Sequence, residues 1–310
     1  MATHRIEPAT GALHGAFSRD FAPVLTIDAG DTVEYRTLDA GWGLAPYLAA
    51  GVAREKFEGR NEEKGTGHAL CGPVFIQDAL PGMTLEVHIN AVVPGAWGFT
   101  VAGTWPNGVN ERLGLDVEEY VMAWTLDAQS MTGRNQLGHT VALRPFMGVM
   151  GMPPAEPGTH STTPPRVTGG NIDCKELVAG TTLYLPIAVE GGLFSVGDGH
   201  AAQADGELSG TAIECPMEHV SLTFGLRDDL RLKTPIAETA EGWLTFGFDK
   251  DLDEAVLIAL DAMLDLMMQR HNLARHEALA LASTLVDMRV TQIVNQVRGA
   301  HAMLPNGAIR

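Results

Sequence analysis

Gly72-Pro-Val-Phe-Ile-Gln-Asp-Ala-Leu-Pro-Gly82-Met-Thr-Leu-Glu-Val-His-Ile89 decides the architecture, because the chain repeats its pattern at Gly170-Asn-Ile-Asp-Cys-Lys-Glu-Leu-Val-Ala-Gly180-Thr-Thr-Leu-Tyr-Leu-Pro-Ile187. Both stretches read glycine, nine residues, glycine, one residue, Thr-Leu, then alternating apolar positions. A third, partial copy is Ala29-Gly30-Asp31-Thr32-Val33-Glu34-Tyr35. The second glycine supplies a turn and the Thr-Leu run opens a strand. The matched spacing predicts a duplicated β unit, with a first β-rich half over 1–165, a second over 166–310 and a site at their seam.

Working outward, short apolar or alternating runs between Gly and Pro predict strands at Val24–Ile27, Thr32–Tyr35, Val74–Ile76, Leu85–Ile89, Leu183–Ile187 and Val220–Phe224. The period changes near the C-terminus. Val256, Leu257, Leu260, Met263, Leu264 and Met267 fall at helical spacing, with Asp251 as the cap, and a second helix is expected over His276–Met288. The methionines of the first helix are expected in the core rather than at an interface. The fold class is therefore α+β, predominantly β: duplicated sandwich- or barrel-like units with a helical C-terminal part.

The composition narrows the function. With 35 glycines, 17 prolines and 45% apolar residues, the chain reads as a turn-rich globular protein. A formal charge of −17 argues against nucleic acid or an anionic membrane as partner and favours a neutral or cationic small substrate. Cys71, Cys174 and Cys215 cannot all pair within one chain and follow no zinc-ribbon spacing, which points to a reducing, cytoplasmic setting. The N-terminus has no apolar signal core, and the longest apolar stretch, Ala255–Met268, is interrupted by Asp261 and Asp265.

The densest cluster of potential ligands is Gly197-Asp198-Gly199-His200-Ala201-Ala202-Gln203-Ala204-Asp205-Gly206-Glu207, followed by Glu214. Asp198 and His200 are two apart, so an extended backbone turns both to one face, half of a site for a borderline-to-hard cation. The same stretch also fits a glycine-rich hairpin with solvated acids. Thr168-Gly-Gly-Asn171-Ile-Asp173 aims Asp173 inward or forms an Asx turn. His68, in Gly67-His68-Ala69-Leu70-Cys71-Gly72-Pro73, and Asp39 are outer candidates, each equally readable as an ordinary hydrogen-bonded residue. No Gly-x-Ser-x-Gly elbow or phosphate loop is present, and Cys174-Lys175-Glu176 places the residue types of a cysteine amidase on opposite faces of a strand.

These motifs, in this order, resemble the acetamidase/formamidase family of small-amide hydrolases. The resemblance also covers Pro81–Val87 and Asp287-Met-Arg-Val-Thr-Gln-Ile-Val-Asn295, with Gly299-Ala300-His301 beyond. It departs at Phe146, where the family pattern has histidine, and at Ala204, where it has glycine. The resemblance implies a duplicated β fold, hydrolysis of formamide- or acetamide-like substrates to carboxylate and ammonia, a homo-oligomer, and a divalent metal, zinc first and calcium second. On that reading Asp173, Asp198, His200 and Glu214 hold metal with His68 and Asp39 outside them. Glu207, ahead of Asp205, moves the proton. The alternative is a diverged, non-catalytic small-molecule-binding β protein of the same fold.

Overall fold

The computed structural model describes residues 1–103 and 108–310. Its backbone is a nine-stranded sheet facing a six-stranded one. The larger runs Thr3–Ile6, Thr32–Tyr35, Met217–Arg227, Thr84–Pro94, Thr182–Pro186, Ile236–Glu238, Gly242–Asp249, Arg298–Pro305 and Asp287–Gln292. The smaller runs Gly169–Asn171, Phe146–Gly151, Phe194–His200, Leu70–Ile76 and Leu13–His14, with Leu25–Ile27 as its sixth strand, parallel to Leu70–Ile76. Both sheets take strands from either side of residue 165. A four-stranded sheet, Thr140–Ala142, Thr132–Asn135, Tyr120–Asp127 and Trp97–Ala102, stands beside them.

The duplication is visible in the pairing. Strands Thr84–Pro94 and Thr182–Pro186 are the matched Thr-Leu runs, and they lie antiparallel with Glu86 opposite Tyr184. Leu85 faces Leu185 and Val87 faces Leu183. Glu86 and Tyr184 stand equally far beyond Gly82 and Gly180, so a local twofold axis passes between them. Both glycines have φ of +90°, the left-handed turn their sequence position predicts. In the smaller sheet the strands carrying Gly72 and Gly170 flank the central pair Phe146–Gly151 and Phe194–His200.

Between the sheets lies one core. Leu85, Val87, Leu183, Leu185, Val220, Leu222 and Phe224 from the larger sheet pack with Val74, Ile76, Met150, Phe194 and Val196 from the smaller. Each such side chain contributes about 1.5–3 kcal/mol on burial. The helix Leu252–His271 covers the outer face of the larger sheet, with Asp251 accepting the Asp253 amide at 2.8 Å as its cap. Met263 and Met267 are buried in the cluster beneath it, as expected of core methionines. The second helix, Arg275–Leu285, ends earlier than its sequence pattern indicates, because Asp287–Gln292 and Arg298–Pro305 form a hairpin that completes the larger sheet. Among the described residues no helix is long and apolar enough to cross a membrane.

Candidate active site

The central strand Phe194–His200 brings in Asp198 and His200, and the strand beside it places Gly148 opposite Asp198. Asp173 follows the strand Gly169–Asn171, and both Ile172 and Asp173 donate their amides to the Gly148 carbonyl. Glu214 is held by backbone bridges to Phe99 and His200. Glu207 sits on a turn pinned to the C-terminal hairpin, where the Gly206 amide donates to the Thr291 carbonyl at 3.0 Å. Four carboxylates and one imidazole, read from separate stretches of sequence, thus share one buried space.

His200 is the hub. Its Nε2 lies 3.2 Å from Asp198 Oδ1 and 3.2 Å from Glu214 Oε1, and its Nδ1 lies 4.0 Å from Asp173 Oδ1. Two groups of donors follow, Asp198–His200–Glu214 and Asp173–His200–Glu207, each with ligand atoms within 4.8 Å of one another. Asn295 ties the second group together: its amide donates to Asp173 Oδ2 at 2.6 Å and to Glu207 Oε2 at 3.3 Å. Phe146, fully buried, meets the His200 ring edge-on at 5.1 Å. Beside the imidazole this chain therefore sets a hydrocarbon wall.

Three features of this space fit the needs of a bound cation. Asp173 Oδ1, His200 Nδ1 and Glu214 Oε2 are buried without a hydrogen-bond partner, a costly state unless another group satisfies them. Gly148 leaves a gap in the same place: a Cβ there would stand 2.6 Å from Asp198 Oδ2 and 2.7 Å from Asp173 Oδ1. The backbone is also strained, since Asp173, Asp198 and Glu207 all have positive φ (55°, 60° and 45°). Such conformations cost of order 1–3 kcal/mol each and concentrate where function requires them.

The electrostatics agree. Burial raises Glu207 to about 7 and Glu214 to about 8, and burial with the neighbouring Glu207 charge pushes Asp173 well above the usual carboxylate range. Burial disfavours a charge on Asp198 too, but His200 and His68 outweigh it and hold the carboxyl low. For His200, burial opposes protonation, yet Glu214 and Asp198 drive its pKa well above the ordinary imidazole value. Without a cation, shared protons take its place, because four like charges cannot all ionise in one dry space.

The cluster opens on a cleft of about 370 Å³ walled by Trp42, Arg60, His68 and Phe99, with Asp198, Glu207, Glu214 and Asn295 also lining it. His68 is half-buried, its Nδ1 bonded to Thr162 Oγ1 at 2.8 Å. The other two candidates have different partners. Asp39 stands outside both donor groups: Arg54 takes its carboxylate at 2.5 and 3.0 Å, and the Gly41 and Gly43 amides donate to Oδ1. Asp205 pairs with Lys175 at 2.9 Å. The cysteine-amidase arrangement is not formed, because Cys174 donates to Glu176 while Lys175 goes to Asp205. Gly148 and Asn295 are the members that sequence reasoning left without a role.

The fold is thus a β sandwich with a buried carboxylate–imidazole cluster at the base of a cleft. The sequence matches the Acetamidase/Formamidase family over residues 3–161 and 157–307, and the chain belongs to that family. A predicted acetamidase/formamidase from Thermoanaerobacter tengcongensis has the same fold, with a TM-score of 0.85 and 25% identity over 99% of this chain and 97% of that one. An acetamidase from Yersinia enterocolitica superposes with a TM-score of 0.86 at 25% identity, over 99% and 93% of the two chains. The acetamidase of Mycolicibacterium smegmatis is 25% identical over 199 residues, 46% of this chain and 49% of that protein. The chain spans about half the length of the curated relatives it matches.

Proposed function

We propose that this protein hydrolyses the C–N bond of small neutral amides, of formamide or acetamide type, to carboxylate and ammonia. The observation that carries the proposal is the convergence of four buried carboxylates and one imidazole at the base of a cleft.

Asp198, His200 and Glu214, with Asp173 facing them, are the residues that would hold a divalent metal. Mixed imidazole and carboxylate donors suit zinc first, and their oxygen excess suits calcium second. When bound, such an ion polarises an amide carbonyl and lowers the pKa of water from about 15.7 towards roughly 7. Glu207, the carboxylate of the cluster that Asn295 also holds, would accept a proton from water and return it to the leaving nitrogen. Asn295 keeps Asp173 and Glu207 in fixed orientation. Trp42 and Phe99 give the cleft an apolar wall against which a short, uncharged acyl group is oriented. Asp205, paired with Lys175, is a weaker candidate for the proton transfer.

The acidic chain suits an uncharged substrate, and three free, buried thiols suit a reducing, cytoplasmic setting. A homo-oligomer completes the proposal. The competing reading is a diverged small-molecule-binding protein of this fold, favoured by the hydrocarbon that Phe146 sets against His200. Ammonia release from formamide, acetamide and propionamide separates the two. A protein that binds these amides and releases none overturns hydrolysis. A His200→Ala variant with unchanged metal content and turnover overturns the site assignment.

A further inference from the structure

A second group of metal-ligating side chains lies outside the site just described. Cys174, Glu176 and His301 are all buried, and their donor atoms lie within 4.8 Å of one another. Cys174 Sγ stands 3.2 Å from Glu176 Oε2, and His301 Nε2 stands 3.7 Å from the same oxygen. Two donors on one tetrahedral zinc, at bond lengths of about 2.0–2.3 Å, are roughly 3.3–3.5 Å apart. The observed separations bracket that figure.

The atoms around the group leave its donor positions free. His301 Nδ1 is bonded to Thr291 Oγ1 at 2.8 Å, so Nε2 faces inward, fully buried and without any hydrogen-bond partner. That is the orphaned state in which a ligand histidine is found when its other nitrogen is anchored. Glu176 divides its carboxylate: Oε1 takes the Arg289 guanidinium at 3.0 Å, leaving Oε2 towards Cys174 and His301. A thiolate and a carboxylate neutralise a divalent ion, so the Arg289 charge would face an uncharged centre.

We propose that Cys174, Glu176 and His301 form a second, sulfur-containing site for a zinc-class divalent cation. On binding, the Cys174 thiol proton leaves to solvent and the sulfur–metal bond forms, and a water completes four-coordination. Thiolate with imidazole selects zinc and its neighbours over calcium or magnesium. The site acts as a staple. It joins the segment directly after Asp173 to the C-terminal hairpin, which itself carries Asn295, and so fixes two members of the first cluster from behind.

Cobalt substitution tests this independently of catalysis, because the first cluster contains no sulfur. The protein titrated with Co²⁺ is expected to develop a near-ultraviolet sulfur-to-cobalt charge-transfer band, whatever share of the metal the sulfur-free cluster takes, and Cys174→Ser is expected to lose it. Should that variant fail to fold, the double variant Cys71→Ser/Cys215→Ser is expected to keep the band, leaving Cys174 as its source. Zinc X-ray absorption on the unmodified protein should also read a sulfur neighbour at about 2.3 Å. No charge-transfer band and no sulfur neighbour in the unmodified protein, or a band that survives in folded Cys174→Ser, overturns the site.

Discussion

Replacing Gly148 by alanine tests the cation cradle with the smallest change available. Gly148 does not occupy the left-handed region, so alanine brings no backbone strain there and its cost lies in the space the new Cβ takes. The added Cβ, however, would lie 2.6 Å from Asp198 Oδ2, 2.7 Å from Asp173 Oδ1 and 2.8 Å from His200 Cε1. At such separations something must shift, and the groups in the way are the two carboxylates and the imidazole themselves. Overpacking of this kind costs about 1–3 kcal/mol. If the cost falls on the loaded state, zinc affinity drops about 5- to 150-fold at roughly 1.4 kcal/mol per decade. Zinc titration calorimetry reads the affinity, and thermal unfolding of the cation-free protein reads the fold. A Gly148→Ala protein that binds zinc and turns over amide as the parent does would refute the cradle.

Three further outcomes are expected. Asn295→Ala leaves Asp173 and Glu207 without their shared donor and should reduce amide turnover about 10–100-fold, whereas Asp205→Ala, which removes only a half-exposed ion pair, should cost less; steady-state ammonia release ranks them. Asp39→Ala strands Arg54, whose side chain is only 8% exposed, and should lower stability by about 3–5 kcal/mol while the folded fraction keeps its activity, as denaturant titration and active-site counting would show. The third concerns pH. Glu207 and Glu214 are raised from 4.5 to about 7 and about 8, chiefly by burial. The folded, cation-free protein therefore holds protons that the unfolded chain releases, so this stability is full below about pH 4.5 and is lost as pH rises through about 7–8. Asp198, held low, acts in the opposite sense at the acid end. Melting temperature of the chelated protein should fall from about pH 5 to about pH 9, and zinc should restore it most at the alkaline end; a melting temperature that rises across this range contradicts the shared-proton picture.

The fold was largely legible because its signals are local. The Gly-x-Thr-Leu repeats announce a left-handed turn and a strand, and the paired strands Thr84–Pro94 and Thr182–Pro186 realise both. The C-terminal hairpin was not legible: Asp287–Gln292 is a half-exposed edge strand whose identity comes from pairing with Arg298–Pro305. In the site, Asp173, Asp198, His200, Glu207 and Glu214 carry chemistry on their side chains and stand among glycines, which made them conspicuous. Asp198 and His200 do meet, although Asp198 itself leaves the extended conformation that their two-residue spacing assumed. Gly148 contributes an absence of side chain, and Asn295 has a neutral amide far along the chain, so neither stands out until the strands are brought together. Asp39 shows the converse, an acid whose partner Arg54 lies fifteen residues on and is fixed only by the tertiary turn.

The proposed hydrolysis requires a cation held by the buried carboxylate–imidazole cluster. The most direct measurement is ammonia release from formamide and acetamide by the purified protein, before chelation, after chelation and after zinc is returned. Steady release is expected that disappears with the chelator and returns with zinc in the parent but not in His200→Ala. Release that is indifferent to chelation and to His200→Ala would contradict it.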